Sequence, residues 1–383
     1  MNDPTAAPSE EPTPAPTPPP LPAERAPLVE LGWNGWLEAD FQDLNEPQAL
    51  PARVVSVERG GFFVAHHADE IEAPVLARLE GTELDSVAQP AVGDWVGVVV
   101  REGTPGIVGV LPRRSCLQRK ASGRQGRAQV VVCNLDYLLV VTAVGYDLNL
   151  RRLERYLIGS FAAGVAPVIV INKMDRVHDL RAIEALIDDL GVEVPVVFTR
   201  ALEPEGLTDL QPYLRPGLSV ALVGSSGVGK STIVNRLLQS DKLATGAVRE
   251  TDDRGRHTTT RRELWRSPDG VLVIDTPGMR EFGLWDAHPG LERLFPGISQ
   301  AAQNCHFRDC AHIDEPDCGV LLAMDQGLFT RARLDRYLTL LEELQETEAQ
   351  AAESLERLEA RRERGQQKKL RTRRGRRRKH WDR

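Results

Sequence analysis

Residues 219–237 read SVALVGSSGVGKSTIVNRL, and this stretch decides the fold of the middle of the chain. Its start, Ser219–Val223, is apolar enough for a buried strand, and residues 230–239 follow a helical pattern. Between them, Gly224–Ser231 matches the pattern GxxxxGK[ST]. A strand, a glycine-rich turn and a helix in this order form a loop whose backbone N–H groups surround phosphate groups. The stretch therefore predicts a nucleotide-binding α/β domain.

The side chains of this loop have separate tasks. Lys230 is expected to reach the β- and γ-phosphates, and the hydroxyl group of Ser231 is expected to ligate Mg²⁺. The helix N-terminus adds the positive end of its dipole. The predicted phosphate-binding residues are Gly224, Ser225, Ser226, Gly227, Val228, Gly229, Lys230 and Ser231.

Strands and helices alternate on both sides of this loop. Near-continuous apolar runs alternating with helices indicate a mostly parallel sheet covered on both faces. The helices are expected over roughly 148–163 and 178–190, in addition to 230–239. The strands are expected over Tyr137–Ala143, Pro167–Asn172, Val194–Phe198, Ser219–Val223 and Val271–Asp275.

The second of these strands ends in a base-reading motif, NKxD, made of Asn172, Lys173, Met174 and Asp175. A carboxylate at Asp175 can accept hydrogen bonds from guanine N1–H and N2, whereas adenine would leave it unpaired. Asn172 is expected to bind the base edge or the phosphate loop, and the Lys173 stem to cover the base. The motif therefore favours GTP over ATP.

A third motif follows the last strand. Asp275 and Gly278 lie in the sequence DTPG, where the aspartate would hold Mg²⁺ through water and the glycine N–H would bond the γ-phosphate. The polar loop before it ends in a threonine triplet. We expect Thr259 to supply a second hydroxyl group to Mg²⁺, with Thr258 as the alternative.

The group that activates water is not evident. Met279 follows DTPG where a glutamine would be expected, and a thioether cannot orient water. His257 is one candidate for the missing role, and Arg254 and Arg256 are candidates for stabilising charge. Because of Met279, hydrolysis by the protein alone is expected to be slow unless another group orients the water. The alternative for His257 is an ordinary solvated loop residue without a catalytic role.

The order of the motifs is permuted. NKxD (172–175) precedes the phosphate loop (224–231), whereas ordinary GTPases have the reverse order. The same fold holds both orders when its former ends are joined and new ends open elsewhere. The chain then leaves the nucleotide domain just after DTPG, so the next segment is coupled to the nucleotide state.

That next segment carries a predicted metal site. Cys305, Cys310, His312 and Cys318 lie within fourteen residues and form a Cys₃His set suited to closed, tetrahedral Zn²⁺. The segment has little apolar material, so the metal would supply its folding energy in a structural role. Redox-active thiols are the alternative, and the remaining two cysteines are expected to be ordinary thiols.

The N-terminal part differs in pattern. Residues 1–30 hold ten of the 26 prolines and predict a disordered leader. Five short β-rich runs follow and favour a small β-barrel, with a β-sandwich as the alternative. These runs are Ala52–Val57, Gly61–Ala65, Pro74–Leu79, Asp94–Val100 and Gly106–Leu111.

Composition and charge restrict the remaining possibilities. No run of 18 apolar residues exists and no signal peptide is recognisable, so we expect a cytoplasmic protein. Residues 361–383 hold thirteen Lys/Arg and two Asp/Glu, a net charge of +11. Because the whole chain carries −7, the other residues carry −18. A basic end on an acidic body favours a nucleic-acid partner, with a merely solvated tail as the alternative.

Together the series NKMD, GSSGVGKST, GRHTTT and DTPG, followed by CHFRDCAHIDEPDC, resembles the ribosome small-subunit-dependent GTPase A family, RsgA or YjeQ. The resemblance covers roughly residues 33–345. It implies a GTP hydrolase acting in late maturation of the 30S subunit, with contacts to 16S rRNA and stimulation by that subunit. It also implies that Thr232 holds phosphate, that His257 takes a catalytic part, and that GTP or GDP, Mg²⁺ and one Zn²⁺ are bound. One departure is Thr199-Arg200-Ala201, where the family usually has a Ser-Ala turn.

The expected architecture is a multidomain α/β protein, monomeric by default. An alternative function is an RNA-binding assembly module with weak or vestigial GTPase activity, favoured by Met279. A permuted GTPase of large-subunit assembly is disfavoured by the zinc set and the barrel. The expected units are a leader (1–32), an OB-fold (33–113), a linker (114–129), a permuted GTPase domain (130–290), a zinc-binding domain (291–330), a helix (331–364) and a basic tail (365–383).

Overall fold

The structure is a computed structural model that describes residues 19–58, 60–80, 88–120, 128–145, 147–177, 179–240, 262–275, 287–350 and 352–353. Within these residues, no helix is long and apolar enough to cross a membrane.

The described elements alternate much as the sequence predicts. The strands are β1 (Leu50–Glu58), β2 (Gly61–Ala65), β3 (Val75–Leu79), β4 (Trp95–Arg101), β5 (Thr104–Val110), β6 (Cys116–Lys120), β7 (Ala128–Cys133), β8 (Tyr137–Ala143), β9 (Ala166–Asn172), β10 (Val196–Phe198), β11 (Ser219–Val223), β12 (Glu263–Arg266) and β13 (Leu272–Asp275). The helices are α1 (Ala26–Val29), α2 (Gly35–Gln42), α3 (Leu150–Ala162), α4 (Leu180–Leu190), α5 (Lys230–Leu237), α6 (His288–Leu294), α7 (Pro296–Ala302), α8 (Gly319–Asp325) and α9 (331–350).

Strands β1 to β5 form a small barrel. Their order is β1-β2-β3-β5-β4, and pairing of β4 with β1 closes it. All of these pairs are antiparallel except β3 with β5. The five-stranded closed order is that of an OB-fold, so the predicted β-barrel is confirmed. Its interior is filled by Ala52, Val54, Val64, Ala77, Val96, Val98 and Ile107.

The middle of the chain forms a parallel sheet with the order β10-β9-β8-β11-β13. Alternate residues of its strands enter different apolar clusters, as Leu138 and Leu139 of β8 do. The strands are thus buried on both faces, which explains their continuous apolar runs. Because they are parallel, the carboxyl ends of β9, β11 and β13 meet at one edge.

Two strand pairings were not predicted from the sequence, and the predicted disordered leader (1–32) is wrong at its end, where α1 (Ala26–Val29) forms a helix with Leu28 buried. Residues expected to act as a connector contribute β6, which pairs with β7 as a separate antiparallel hairpin. Strand β12 pairs with β13 and, at Glu263, with Ser56 of β1. Within the described residues, the barrel and the parallel sheet therefore form one continuous 11-stranded sheet. Both strand pairings are tertiary contacts, which the short polar runs ELWR and CLQRK do not reveal.

A buried arginine fastens the barrel to the parallel sheet. Arg53 of β1 donates to the Ser219 hydroxyl group at 2.8 Å and to the Asn134 carbonyl group at 3.1 Å. Its guanidinium group lies 5.5 Å from the ring centre of Trp95. Burial lowers the pKa of Arg53 to about 10. Since Ser219 begins β11, this contact supports the strand that leads to the phosphate loop.

The C-terminal part is helical and lies against α3 and α4. Arg336 of α9 pairs with Glu154 at 2.8 Å and with Asp189 at 2.9 Å. The rings of Phe295 and Tyr337 pack edge to face, 5.6 Å between centres. Helix α9 therefore contacts both α3 and α4 and also packs on Phe295 at the junction of α6 and α7.

Candidate nucleotide site and metal centre

The phosphate loop follows β11 directly. Gly224, Gly227 and Gly229 have φ values of 142°, 80° and 106°, a region that L side chains rarely adopt. A Cβ atom on Gly224 would lie 2.0 Å from the Val141 carbonyl oxygen, and one on Gly229 would lie 2.2 Å from Asn172 Nδ2. The first and last of these glycines are therefore required by space as well as by backbone angle.

The lysine of the loop turns back onto its own backbone. Lys230 Nζ donates to the Gly224 carbonyl oxygen at 2.7 Å and to that of Ser225. Ser231 and Thr232 follow in the first turn of α5 and are half-buried. The ammonium group is thus placed over the loop, where phosphate oxygens can replace the two carbonyl groups.

Asn172 joins three segments of the site. Its Nδ2 donates to the Val228 carbonyl oxygen of the phosphate loop at 2.9 Å, across 56 residues of sequence. Its Oδ1 accepts from the Thr199 hydroxyl group and from the Ala201 N–H, both at 3.1 Å. Of the two roles expected for Asn172, the structure shows the tie to the phosphate loop. Thr199 and Ala201 support this side chain in place of the usual Ser-Ala turn.

The rest of NKxD lies in a short turn beyond β9. Lys173 has a left-handed backbone with φ 63°, and its Nζ donates to the Gly227 carbonyl oxygen at 2.6 Å. The Met174 N–H donates to the Thr199 carbonyl oxygen at 3.1 Å. Asp175 is exposed, with Arg176 Nε at 3.8 Å from its carboxylate. That carboxylate is therefore open to a ligand that approaches from solvent.

Some predicted residues lie outside the described residues. These are His257, the alternatives Thr258 and Thr259, Arg254, Arg256 and the segment that contains Gly278 and Met279. Asp275 ends β13, whose neighbour is β11. Its backbone is thus at the same sheet edge as the phosphate loop, as the spacing predicts.

An arginine missed by the sequence analysis lies beside the loop. Arg152, in the first turn of α3, donates to the Ser225 hydroxyl group and to Asp147, the latter at 2.7 Å. No sequence signal marks it, because a charged residue on an exposed helix face is ordinary. Its guanidinium group, paired with Asp147, thus lies next to the loop that is predicted to bind phosphate.

The four predicted metal ligands come together. One ligand atom from each of Cys305, Cys310, His312 and Cys318 lies within 4.8 Å of the others. His312 Nδ1 lies 3.5 Å from the Sγ atoms of Cys305 and Cys318, which are 3.9 Å apart. With Zn–S near 2.3 Å and Zn–N near 2.0 Å, a tetrahedron has edges of about 3.8 Å between sulfurs and about 3.5 Å between sulfur and nitrogen. The composition of the donor set therefore fits Zn²⁺, and so do the spacings among Cys305, His312 and Cys318.

The surroundings of the centre favour metal ligation. Burial lowers the pKa of His312, which keeps the imidazole neutral and able to bind metal. The exposed Glu315 carboxylate accepts the N–H groups of Ala311 at 2.8 Å and Ile313 at 2.9 Å. These bonds hold the backbone on both sides of His312.

Fold and sites together define a circularly permuted P-loop GTPase with a Cys₃His cluster. The family model described as "RsgA GTPase" matches residues 110–285, and one described as "50S ribosome-binding GTPase" matches residues 219–356. The chain belongs to the RsgA GTPase family, and it is a GTP hydrolase.

Curated relatives match most of the chain. "Small ribosomal subunit biogenesis GTPase RsgA" of Methanosarcina acetivorans is 44% identical, over 82% of this chain and 84% of its own length. The protein of the same name from Opitutus terrae is 40% identical, over 82% of this chain and 89% of its own length.

Two solved structures share the fold. YjeQ from Thermotoga maritima is 27% identical with a TM-score of 0.58, over 77% of this chain and 98% of its own length. YloQ, titled a circularly permuted GTPase, is 23% identical with a TM-score of 0.57, over 78% of this chain and 96% of its own length.

Proposed function

We propose that this protein is a small-subunit biogenesis factor whose binding to the maturing 30S subunit is gated by GTP. The observation that carries the proposal is the Asn172 side chain, which joins the NKxD strand to the phosphate loop at Val228 and to the turn at Ala201. The base-reading and phosphate-binding motifs thereby form one site despite their permuted order. The small-subunit role follows from the names of the relatives.

The phosphates of GTP are bound by the loop and the start of α5. We assign Gly224 to Thr232 to this task, with the Lys230 ammonium group leaving the Gly224 carbonyl for phosphate oxygens. Ser231, Thr259 and, through water, Asp275 would hold Mg²⁺, which neutralises phosphate charge when bound. Arg152 adds a positive charge at Ser225.

The base is read by Asp175, with its exposed carboxylate accepting guanine N1–H and N2. Lys173 is fixed by the Gly227 carbonyl group, so its alkyl stem is available as a cover for the base. Met174 completes the turn through its N–H to Thr199. This division of tasks supports GTP and GDP as the ligands.

Hydrolysis needs a group that orients water. Met279 cannot do this, and we assign the role to His257 of the polar loop that precedes DTPG. The test is single-turnover hydrolysis by His257→Ala, with His67→Ala as the control because His67 is an exposed barrel residue. Loss of hydrolysis with retained GTP binding in His257→Ala alone supports the role, and unchanged hydrolysis refutes it.

The Cys₃His cluster is assigned to one structural Zn²⁺. The set is complete without water, and Cys318 additionally accepts the Leu321 N–H at 3.5 Å at the start of α8. The centre thus sets the start of α8, a helix that packs against α7. A structural metal here would give the segment around Cys305–Cys318 a fixed shape.

We further propose a monomer that acts in the cytoplasm on 16S rRNA, with the basic segment 365–383 contributing phosphate contacts. We also propose that the OB-fold spans residues 33–113, the GTPase domain residues 130–290 and the zinc-binding domain residues 291–330. The second candidate function is an RNA-binding assembly module with weak GTPase activity, which Met279 favours.

One experiment separates the two functions. GTP turnover is measured at fixed protein, alone and with purified 30S or 50S subunits. Stimulation by 30S only, of about tenfold or more, supports the gated switch, since activating partners accelerate other GTPases far more than this. Binding to 30S without stimulation supports the RNA-binding module. A Lys230→Ala variant serves as the control for contaminating nucleotide hydrolysis.

A further inference from the structure

Two cysteines outside the metal centre face each other across the β6–β7 hairpin. Cys116 and Cys133 are opposite each other in the antiparallel register, with their Sγ atoms 3.7 Å apart. Neither cysteine donates its backbone N–H group to the other cysteine. Cys116 donates to the Ala163 carbonyl group at 2.9 Å, and Cys133 donates to the Val92 carbonyl group at 3.0 Å. The pair is therefore a non-hydrogen-bonded pair of the ladder.

This register suits a covalent bond between the two sulfurs. Opposite residues of non-hydrogen-bonded pairs have Cα atoms about 4.5 Å apart, which is closer than in hydrogen-bonded pairs. Disulfides bridge Cα separations of about 4.4–6.8 Å. To form the bond, the sulfurs have to close from 3.7 Å to the S–S length of about 2.05 Å.

The two thiols differ in exposure and acidity. Cys116 is half-buried and Cys133 is buried. The hydrogen bond from Cys133 lowers the pKa of Cys116 to about 7, with burial opposing and the positive charge of Arg113 assisting. The other groups facing it are Gln118, whose amide donates to its sulfur, and Asp94, which binds Arg113. Burial raises the pKa of Cys133.

We propose that Cys116 and Cys133 form a reversible disulfide, a modification site whose co-reactant is a low-molecular-weight disulfide such as oxidised glutathione. The Cys116 thiolate attacks one sulfur of that disulfide, whose S–S bond breaks and releases a first thiolate, which takes up a proton. Cys133 then gives up its proton, attacks the Cys116 sulfur and releases the second glutathione thiol. Two protein thiols are oxidised and one glutathione disulfide is reduced to two thiols.

The disulfide would stabilise the contact of the β6–β7 hairpin with the barrel and with α3. The pair's backbone is already bonded to the barrel at Val92 and to the end of α3 at Ala163. Cross-linking residues 116 and 133 removes freedom from the unfolded chain, so the oxidised protein is expected to melt at a higher temperature. Reduction reverses this effect.

The test uses the full zinc-loaded chain incubated with oxidised glutathione and digested with trypsin. Cleavage places Cys116 in peptide 115–119 and Cys133 in peptide 128–151, apart from the metal cysteines in 294–308 and 309–331. We expect peptides 115–119 and 128–151 to be linked with the loss of two hydrogen atoms, and to separate on adding dithiothreitol. Zinc content, measured alongside, should not change.

Matched variants identify the order of events. Cys133→Ser should stop at a glutathione adduct on Cys116, and Cys116→Ser should give neither adduct nor link. The rise in melting temperature should be absent from both. A stable glutathione adduct on Cys116 in the wild type, or oxidation confined to the metal cysteines with loss of zinc, would overturn the proposal.

Discussion

The nucleotide site takes its residues from distant parts of the chain, whereas the metal centre takes its ligands from one short segment. Asn172 and Val228 meet across 56 residues, and the metal ligands span residues 305–318. The first site is held by a buried parallel sheet whose strand ends converge. The second lies on loops between short helices, where a metal can supply what the core does not.

This difference predicts that a change at one of the two sites leaves the other site unaffected. Disturbing the sheet edge should impair nucleotide binding without affecting the zinc unit. Removing zinc should loosen the zinc unit and leave nucleotide binding intact. The predictions below test that separation, beginning with the largest expected effect.

Removal of zinc should have the largest effect. Structural zinc contributes about 10 kcal/mol or more in small zinc-dependent units, so a strong chelator should unfold the segment around 291–330. Proteolysis should then begin within this segment, while affinity for GTP changes by less than about threefold, less than 1 kcal/mol. Loss of GTP binding together with zinc would show that the two sites are not separate. Cys318→Ser should reproduce the chelator result, and Cys116→Ser is the matched control.

The next effect concerns the attachment of α9 to the GTPase domain. Arg336 pairs with Glu154 where both side chains are largely buried, 11% and 1% exposed. The substitution Arg336→Ala leaves the buried Glu154 carboxylate without its partner and should lower the free energy of unfolding by about 3 kcal/mol. Arg331→Ala is the control, because its pair with Asp335 is exposed, and its cost should be below about 0.5 kcal/mol.

Chemical denaturation followed by tryptophan fluorescence measures both variants. Equal destabilisation by Arg336→Ala and Arg331→Ala would mean that α9 is held by its apolar face alone. A large difference would show that the C-terminal unit is fastened through the Glu154 pair.

A third prediction concerns space in the phosphate loop. Gly229→Ala places a Cβ atom 2.2 Å from Asn172 Nδ2 at a φ of 106°, so both the loop and the Asn172 contact must shift. We expect GTP affinity to fall about 100-fold, or about 3 kcal/mol. Gly327→Ala is the matched control, since Gly327 has φ 79° but open space around it. Titration with a fluorescent GTP analogue measures both, and equal losses would remove the steric explanation.

Much of this site was predictable from the sequence. The motifs for phosphate and guanine are local patterns, and the strands before them are continuously apolar, so their meeting at one sheet edge follows from parallel topology. The metal ligands were predictable because four ligands lie in one short segment. Arg152, by contrast, reaches Ser225 from a helix far away in sequence, and no pattern marks it.

The parts of the fold that were missed are tertiary pairings. Strand β12 is four residues long and is defined by its neighbours β13 and β1. Strand β6 lies in the segment expected to be a linker (114–129), and the cysteines that face each other across the β6–β7 hairpin were expected to be ordinary thiols. Their proximity depends on the register of the hairpin, which residue composition does not determine.

The smallest effect tests base reading rather than structure. Asp175→Asn keeps the size of the side chain, but it replaces one accepting carboxylate oxygen with an NH₂ group. This group is a donor and cannot accept a hydrogen bond from guanine N1–H or from the N2 amine. GTP affinity should fall by about 2 kcal/mol, or about 30-fold, while affinity for xanthosine triphosphate should rise, because xanthine offers an oxygen in place of N2.

The control is Asp179→Asn, the same substitution four positions further on. Asp179 accepts the N–H groups of Arg181 and Ala182 at the start of α4, and asparagine caps a helix equally well. Its GTP affinity should therefore stay at the wild-type value. Isothermal titration with both nucleotides measures the preference. If Asp175→Asn leaves the ratio of the affinities for GTP and xanthosine triphosphate unchanged, another group reads the base. The turn that holds Asp175 would then make no contact with guanine, and this sheet edge would bind only the phosphates.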